Sequence, residues 1–538
     1  MEWNIADLFE KVVDLAPDRE ALVCGDARRT YAGLEERANR LAHHLASAGV
    51  GSGDHVGIYA FNCAEFVESM LAAYKLRAVP INVNYRYVED ELRYLFDNAD
   101  LVSVIYHRRF GPRIAAVKDE MPKLRHLIRV EDDSGDESGP DSVAYEEALA
   151  SSSAKRDFGP RSPDDLYILY TGGTTGMPKG VMWRQQDVLF TLGGGIDFVT
   201  GVPCQRPEDL SAKMSDPPMT MMATAPLMHG AAQWGTFGGL FVGNRVALYC
   251  GRSFDPDAIW SLVERDKVQT ISITGDAMAR PLVEALAAPG ASYDLSSLLV
   301  VASTAAVFSP VLKQQFKELL PNLVIVDSVG STETGFHGSS VYDPATVGSR
   351  GLVSVAPSRD TLVVDEAGRP VAPGSGVVGR LARGGNVPIG YYKDPVKSAE
   401  TFIEVDGKRF AVPGDLALVE DDGSITLLGR GSVCINSGGE KIFPEEVESA
   451  LKAHADVFDA VVVGVPDERW GERVTAVVQA REGRTPTLEA LSTHCRAKIA
   501  SYKVPRSLVL IDRIERSPSG KPDYPWAKAQ AMERKTGG

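Results

Sequence analysis

Long apolar runs are missing from this chain of 538 residues, and so is any surplus of positive charge. No stretch reaches the ~18 consecutive apolar residues of a membrane-spanning helix, which excludes a helical span but leaves peripheral membrane association open. Lys and Arg number 57 against 72 Asp and Glu, giving a formal charge of −15. A general nucleic-acid binder needs a basic face, so no nucleic-acid partner is expected, and an anionic substrate must be met by a local cluster of cations. Cysteine is scarce. Cys24, Cys63, Cys204, Cys250, Cys434 and Cys495 are scattered without CxxC or metal-ligand spacing, which reads as reduced, mostly structural thiols in a cytoplasmic protein. The opening Met1-Glu-Trp-Asn-Ile-Ala-Asp7 has neither a basic region nor an apolar core, so no secretory leader is expected. There is no internal repeat.

What is present is the composition of a globular protein, 44% hydrophobic and 24% charged, in a chain too long for one core. Apolar runs alternate with amphipathic helical patterns over the first four hundred residues. Thr30 is placed to cap a helix running to about Ala48, with Leu34, Ala38, Leu41, Ala42 and Leu45 on one face. Strands are expected at His55–Ala60, Val79–Val83, Leu101–Tyr106, Arg245–Tyr249, Thr270–Thr274, Leu298–Ala302 and Leu323–Asp327. Continuous Val/Ile/Leu runs joined by helices favour parallel sheets covered on both faces. After Gly429-Arg430 the pattern becomes that of a compact α+β unit. The expected fold is therefore α/β: a large domain, 1–430, of parallel or mixed sheets covered by helices, and a small C-terminal α+β domain, 431–538.

The segment Tyr170-Thr-Gly-Gly-Thr-Thr-Gly-Met-Pro-Lys-Gly180 carries the strongest chemical signal. Gly172, Gly173 and Gly176 let backbone N–H groups converge on phosphate oxygens, Thr171, Thr174 and Thr175 add hydroxyls, and Lys179 adds a full charge. This is the recipe for a nucleotide triphosphate site, although Met177-Pro178 before Lys179 departs from the common P-loop spacing. Composition alone also fits a flexible surface loop. A second strand-to-loop transition, Asp327-Ser-Val-Gly-Ser-Thr-Glu-Thr-Gly335, offers Ser331, Thr332 and Thr334 as phosphate donors and Glu333 as a carboxylate for Mg²⁺, which needs only one or two protein carboxylates beside nucleotide phosphates. Asp415 in Val412-Pro-Gly-Asp415 can accept ribose hydroxyls, and Arg430 in Leu428-Gly-Arg430 can approach ribose or phosphate. Near the end, Ser517-Pro-Ser-Gly-Lys521 sets one lysine in a loop of small residues.

Taken together, these segments resemble the adenylate-forming superfamily of acyl-CoA synthetases, luciferases and peptide-synthetase adenylation domains. The match runs from Thr30-Tyr31 to Lys521 and includes Ala225-Pro-Leu-Met-His-Gly230, Gly390-Tyr-Tyr-Lys-Asp-Pro395, Ser437-Gly-Gly-Glu-Lys-Ile-Phe-Pro-Glu-Glu-Val-Glu448 and Val465-Pro-Asp-Glu-Arg-Trp-Gly471. The resemblance implies an acid–thiol ligase using ATP, Mg²⁺ and CoA: a carboxylate attacks the α-phosphorus, and a thiol then displaces AMP. It implies that the 171–180 loop holds the β- and γ-phosphates and that Thr332 contacts the α-phosphate. Glu333 would help hold Mg²⁺, the stretch Asp327, Ser328 and Val329 would flank the nucleotide, and Asp415 and Arg430 would bind the ribose. It implies a mobile small domain whose Lys521 orients the carboxylate, a hinge after Gly429-Arg430, and Gly438-Gly439 along the pantetheine tunnel. His229 would stand between acyl pocket and tunnel.

Three departures from the family pattern stand out: Ser432 at the hinge in place of Asp or Lys, Val329 in place of an aromatic against adenine, and Ser303-Thr-Ala-Ala306 in place of Gly-Gly-Ala-Pro. These variations look like one branch of actinobacterial fatty-acyl-CoA synthetases that includes sterol side-chain ligases. The acyl pocket is expected from His229, Trp234, Gly275, Met278 and Ala305, a mix of small residues and flat apolar walls suited to a bulky hydrophobic carboxylic acid. Acyl transfer to a carrier protein, an inactive nucleotide-binding homologue and a homo-oligomeric state all remain compatible with the sequence.

Overall fold

The computed structural model describes residues 1–533 except 174–175, 198–199, 345–351, 406, 438–439, 468 and 518–519. Among the described residues the chain forms a 15-stranded sheet, two 5-stranded sheets and a 3-stranded sheet. Next to an antiparallel edge strand, Ala27–Thr30, six strands of the large sheet run parallel: Glu20–Cys24, Arg245–Leu248, Thr220–Ala223, Thr270–Ile273, Val300–Ser303 and Val324–Ser331 lie side by side in that order. Helices Gly230–Phe241, Pro256–Asp266, Gly275–Ala287 and Pro310–Leu319 supply the long crossovers that parallel neighbours need.

Beyond Val324–Ser331 the sheet turns antiparallel, because only three residues separate that strand from Gly335–Val341 and no crossover fits in so short a link. Ile425–Arg430 and Asp415–Val419 continue this antiparallel half. The architecture is thus mixed, as an α/β domain of parallel or mixed sheets. The first 5-stranded sheet centres on His55–Tyr59, with Val79–Asn82 and Leu101–His107 parallel on either side. Helix Tyr31–Ser47 packs its predicted face inward, and the Thr30 hydroxyl caps it by accepting from Gly33 N at 3.0 Å.

The last sheet is built on the antiparallel pair Val457–Asp467 and Gly471–Ala480, with Ser507–Ile511 parallel beside the latter. Its valine run is buried on both faces. Ala460 and Val462 pack with Val447, Leu451 and Leu491, from helices Pro444–Lys452 and Leu488–Arg496, whereas Val461, Val463 and Val465 pack with Ala527 and Ala531 of helix Tyr524–Glu533. Every residue of these two clusters follows residue 434, so the unit has its own core.

The expectation of reduced thiols needs one correction: Cys24 and Cys250 form a disulfide, with Cα atoms 6.2 Å apart. Cys24 closes its strand opposite Leu248 of the adjacent parallel strand, and Cys250 follows two residues on. A separation of 226 residues in sequence conceals a pairing that sheet register creates. Among the described residues no helix is long and apolar enough to cross a membrane.

Candidate active site

The glycine-rich segment is the tip of a β-hairpin. Strand Leu166–Gly173 pairs antiparallel with Gly176–Arg184, which sets Tyr170 opposite Gly180 and Thr171 opposite Lys179. Gly172, Gly173 and Gly176 end the two strands; Thr174 and Thr175 lie outside the described residues. Buried Asn82 anchors the hairpin. Its Oδ1 accepts from Tyr170 N at 2.8 Å while Nδ2 donates to Tyr170 O at 2.8 Å and to Met228 O at 2.7 Å. One amide therefore ties the glycine-rich hairpin to the loop that ends at His229. Lys179 pairs with Asp394 and lies over the Tyr391 ring at 5.8 Å from its centroid.

Thr332, Glu333 and Thr334 form the tip of the second hairpin, between Val324–Ser331 and Gly335–Val341. Trp183 Nε1 donates to Thr332 O at 3.0 Å, and the Ser331 and Thr334 hydroxyls bond each other at 2.8 Å. Glu333 is buried and accepts a 3.1 Å hydrogen bond from the Tyr391 hydroxyl. The Gly390–Tyr391 strand pairs with the glycine-rich hairpin, so Tyr391 and Asp394 join the two tips. Asp327 does not project a free carboxylate into this space, because it is buried and paired with Lys313 of helix Pro310–Leu319. Ser328 is half-buried on the same strand. Val329 packs against Val363, Leu381, Ala417 and Ile425 of the antiparallel half of the sheet.

Asp415 and Arg430 face each other across two neighbouring strands, with Nε 3.3 Å from Oδ1. Burial raises the Asp415 carboxyl above its ordinary range, partly offset by Arg430. Burial pulls the Arg430 guanidinium down, but Asp415 and Glu333 more than compensate and hold it above its usual value. Lys521 enters from the small domain into the field of Arg430, Glu333 and Asp415. Crowding by protein lowers its pKa, Arg430 lowers it further, and the two carboxylates raise it. The side chain nevertheless keeps solvent-accessible surface, the state of a lysine lodged in a cleft. Among the described residues no ion pair engages its ammonium. His229 caps helix Gly230–Phe241 and is pushed down to about 3 by burial, then by Lys521 and Arg86, so its ring is neutral at working pH; its Nε2 is buried without a hydrogen-bond partner.

The residues expected around the acyl group divide. Met278 lines a cleft of about 580 Å³ between the two domains, together with Arg86, Arg252, Arg280, Phe458 and Arg513. Gly275 opens helix Gly275–Ala287, its N–H donating to Ser303 Oγ at 3.1 Å, and Ala305 is exposed on the neighbouring loop with φ of 67°. Trp234 sits in the main core, edge-on to Tyr167 at 5.2 Å, with its indole nitrogen buried and unpartnered. Gly438 and Gly439 lie outside the described residues. Asn82, Tyr391, Asp394 and Trp183 carried no expected role. Their signals were a lone amide inside an apolar strand and a Tyr-Tyr-Lys-Asp motif whose partners lie from 58 residues upstream, Glu333 for Tyr391, to 215 for Lys179 and Asp394.

Gly429 precedes the small domain with φ of +114°, a conformation that favours glycine. A Cβ there would fall 2.3 Å from Glu445 Oε2 of helix Pro444–Lys452, so the absent side chain lets the carboxyl dock on the link. Burial, then Glu448, pushes the Glu445 carboxyl up to about 8. The folded state thus holds a proton that the unfolded chain releases near 4.5, so the folded state loses stability as pH rises from about 4.5 to about 8. Because the residue keeps some solvent access, Glu445→Gln should stabilise by about 1–2 kcal/mol at pH 8, less than the full linkage value, and by almost nothing at pH 5. Thermal unfolding at both pH values reads this, and an equal gain at each would refute it.

A lysine delivered from a separate domain to a carboxylate–guanidinium pair, beside two hydroxyl-rich hairpin tips, is the architecture of enzymes that join an acid to a nucleotide. The chain belongs to the AMP-binding enzyme family: that family's model matches residues 9–392, and the AMP-binding enzyme C-terminal domain matches residues 446–521. It is 52% identical to the medium/long-chain-fatty-acid–CoA/3-oxocholest-4-en-26-oate–CoA ligase of Mycolicibacterium smegmatis, over 99% of this chain and 97% of that one. It is also 52% identical to the 3-oxocholest-4-en-26-oate–CoA ligase of Rhodococcus rhodochrous, over 98% and 96% of the two chains. Among solved structures, the anthranilate CoA ligase AuaEII in complex with anthranoyl-AMP shares the fold with a TM-score of 0.84 at 23% identity, over 99% and 97% of the chains. ATP-bound MatB from Rhodopseudomonas palustris does so with a TM-score of 0.82 at 24% identity, over 98% and 99%.

Proposed function

We propose that this chain is an AMP-forming acid–CoA ligase acting on medium- to long-chain fatty acids and on sterol side-chain acids. Support comes from relatives of those activities that are 52% identical along nearly the whole chain. The observation that carries the mechanism is the docking of the Lys521 turn on the large domain, Gly520 lying against Thr274 and Ala277, which brings Lys521 into the field of Glu333, Asp415 and Arg430.

In the first half-reaction a carboxylate oxygen of the acid bonds to the α-phosphorus of ATP while the bond to the bridging oxygen breaks and pyrophosphate leaves. Two anions must approach, so positioned cations and donors do the work rather than a covalent protein intermediate. Lys521 bridges the incoming carboxylate and the α-phosphate, with Thr332 donating to the latter. Asp415 accepts the ribose hydroxyls and Arg430 holds Asp415 in place. Lys179 takes the β- and γ-phosphates by exchanging Asp394, its present counter-ion, for phosphate. A magnesium ion bound to the phosphates would neutralise their charge. Glu333 fits as its protein carboxylate, being buried and oriented by Tyr391, and one such ligand suffices where phosphate and water complete the shell. Among the described residues no cluster of three or more His, Cys, Asp or Glu offers a metal cage.

In the second half-reaction the CoA thiolate attacks the acyl carbonyl and AMP departs. On this reading Lys521 reaches the nucleotide from the small domain, 431–538, which then turns about the link after Arg430 to admit the thiol. The interdomain cleft is lined by charges of both signs, Arg86, Arg252, Arg280 and Arg513 beside Asp276, Asp459, Asp512 and Glu515, and the arginines are the groups that would meet the phosphates of CoA. His229, neutral, stands beside Lys521 where the acyl group would pass.

The test is acid-dependent ATP–pyrophosphate exchange over linear, branched, aromatic and steroid-side-chain acids, followed by AMP release with CoA or with an acylatable carrier protein. Fastest turnover is expected with fatty and steroid-side-chain acids and with CoA. Exchange with none of these acids would refute the reading.

A further inference from the structure

The large domain holds a buried carboxylate that the nucleotide site does not use. Asp276, the second residue of helix Gly275–Ala287, has its side chain only 4% exposed. Its Oδ1 accepts from Ser309 N at 2.7 Å, which fixes the carboxylate to the large domain. Its Oδ2 makes no hydrogen bond; the ammonium of Lys452, itself 5% exposed, stands 3.5 Å from it, and Arg280 and Arg516 add attraction from farther off. Lys452 ends helix Pro444–Lys452 of the small domain. The pair therefore spans the interface and is desolvated by it.

The same patch seats the turn that presents Lys521. Gly520, with φ of +77°, lies so close that a Cβ there would be 3.1 Å from Ala277 Cβ, next to Asp276. Arg516 donates to Gly520 O at 3.0 Å and makes a two-pronged bond to Asp459, each prong 2.7 Å. Arg86 of the large domain donates to Arg516 O at 3.2 Å, and Arg516 also feels the Asp276 charge.

We infer that the Asp276–Lys452 ion pair is an interdomain key: it lets the small domain dock in the one orientation that places Lys521 for adenylation, and Asp276 and Lys452 are positioning residues for that step. This rests on the reading of Lys521 given above. A buried pair gains little net energy over two solvated charges, but removing one partner leaves the other buried with only weaker counter-charges, Arg280 and Arg516 for Asp276, Glu448 and Asp459 for Lys452. That penalty falls on the docked orientation alone, because both groups meet water when the domain turns away. Single substitutions should therefore impair the adenylation half-reaction selectively, and removing both charges should restore much of it.

The experiment compares Asp276→Asn, Lys452→Met and the double variant in two assays: acid-dependent pyrophosphate exchange, and thioester formation from supplied acyl-adenylate and CoA. Each single variant should slow exchange by about ten- to a hundredfold, with the thioester step within about threefold of the parent or faster. The double variant should exchange faster than either single one, the non-additivity of coupled groups. The thioester assay is the folding control, since it uses the same nucleotide loops. Additive losses in the double variant, equal losses in both half-reactions, or no loss at all would overturn the inference. Lys521→Ala in parallel separates the two readings: unchanged exchange there refutes the role of Lys521, whereas slowed exchange there with additive latch variants refutes only the key.

Discussion

Lys521→Ala slows acid-dependent pyrophosphate exchange by about a hundred- to a thousandfold, the cost of one transition-state donor, and leaves thioester formation from supplied acyl-adenylate intact. The asymmetry follows from where the lysine comes from. It belongs to the small domain, and the cleft gives its ammonium no ion-pair partner among the described residues, only the opposed fields of Arg430 and of Glu333 with Asp415. An ammonium held this way is available to an incoming carboxylate and phosphate. The proposed nucleotide scaffold, Asp415 with Arg430 and the two hairpin tips, is built entirely by the large domain and should survive the substitution. An exchange rate equal to that of the parent enzyme would remove Lys521 from the chemistry.

The second large effect is expected at the link. Ser432→Pro keeps exchange within about threefold of the parent and lowers the thioester step by more than about a hundredfold. Gly431–Val433 form a single 3₁₀ turn directly after the strand that carries Arg430. Proline fixes one φ angle in that turn, so the arrangement seen here persists while rotation to admit CoA is opposed. Single-turnover measurements of the two half-reactions check this. Equal loss of both would sink the two-orientation account, and loss of neither would move the pivot elsewhere, for instance to Gly429, whose φ of +114° and close contact with Glu445 mark it as the tightest point of the link.

Much of the fold could be read from local pattern because strand and helix periodicity is a local property. The Thr30 cap, the inward face of the following helix, and the strands at residues 55, 79, 101, 245 and 270 fall where apolar spacing and capping chemistry put them. The candidate site residues were nominated on a similarly local ground: glycines, hydroxyls and a lysine clustered at a strand end are the groups that can converge on phosphate. The antiparallel turn of the large sheet after Ser331 was less legible, because apolar runs look alike in either orientation.

Long-range pairings were decided by folding alone. The chain carries six cysteines of equal local character, yet register in the parallel sheet bonds Cys24 to Cys250. Asp327, expected beside the nucleotide, has its carboxylate paired with Lys313, 14 residues before it in sequence. Lys179 meets Asp394, and Asp276 meets Lys452, across separations no motif spans. Composition and spacing dictate which residue types can hold an acid and a nucleotide, since those needs are chemical and local. Which charges end up sharing a buried space depends on sheet order and domain docking, because Coulomb energy in a low-dielectric interior acts on distance in space and is blind to distance along the chain.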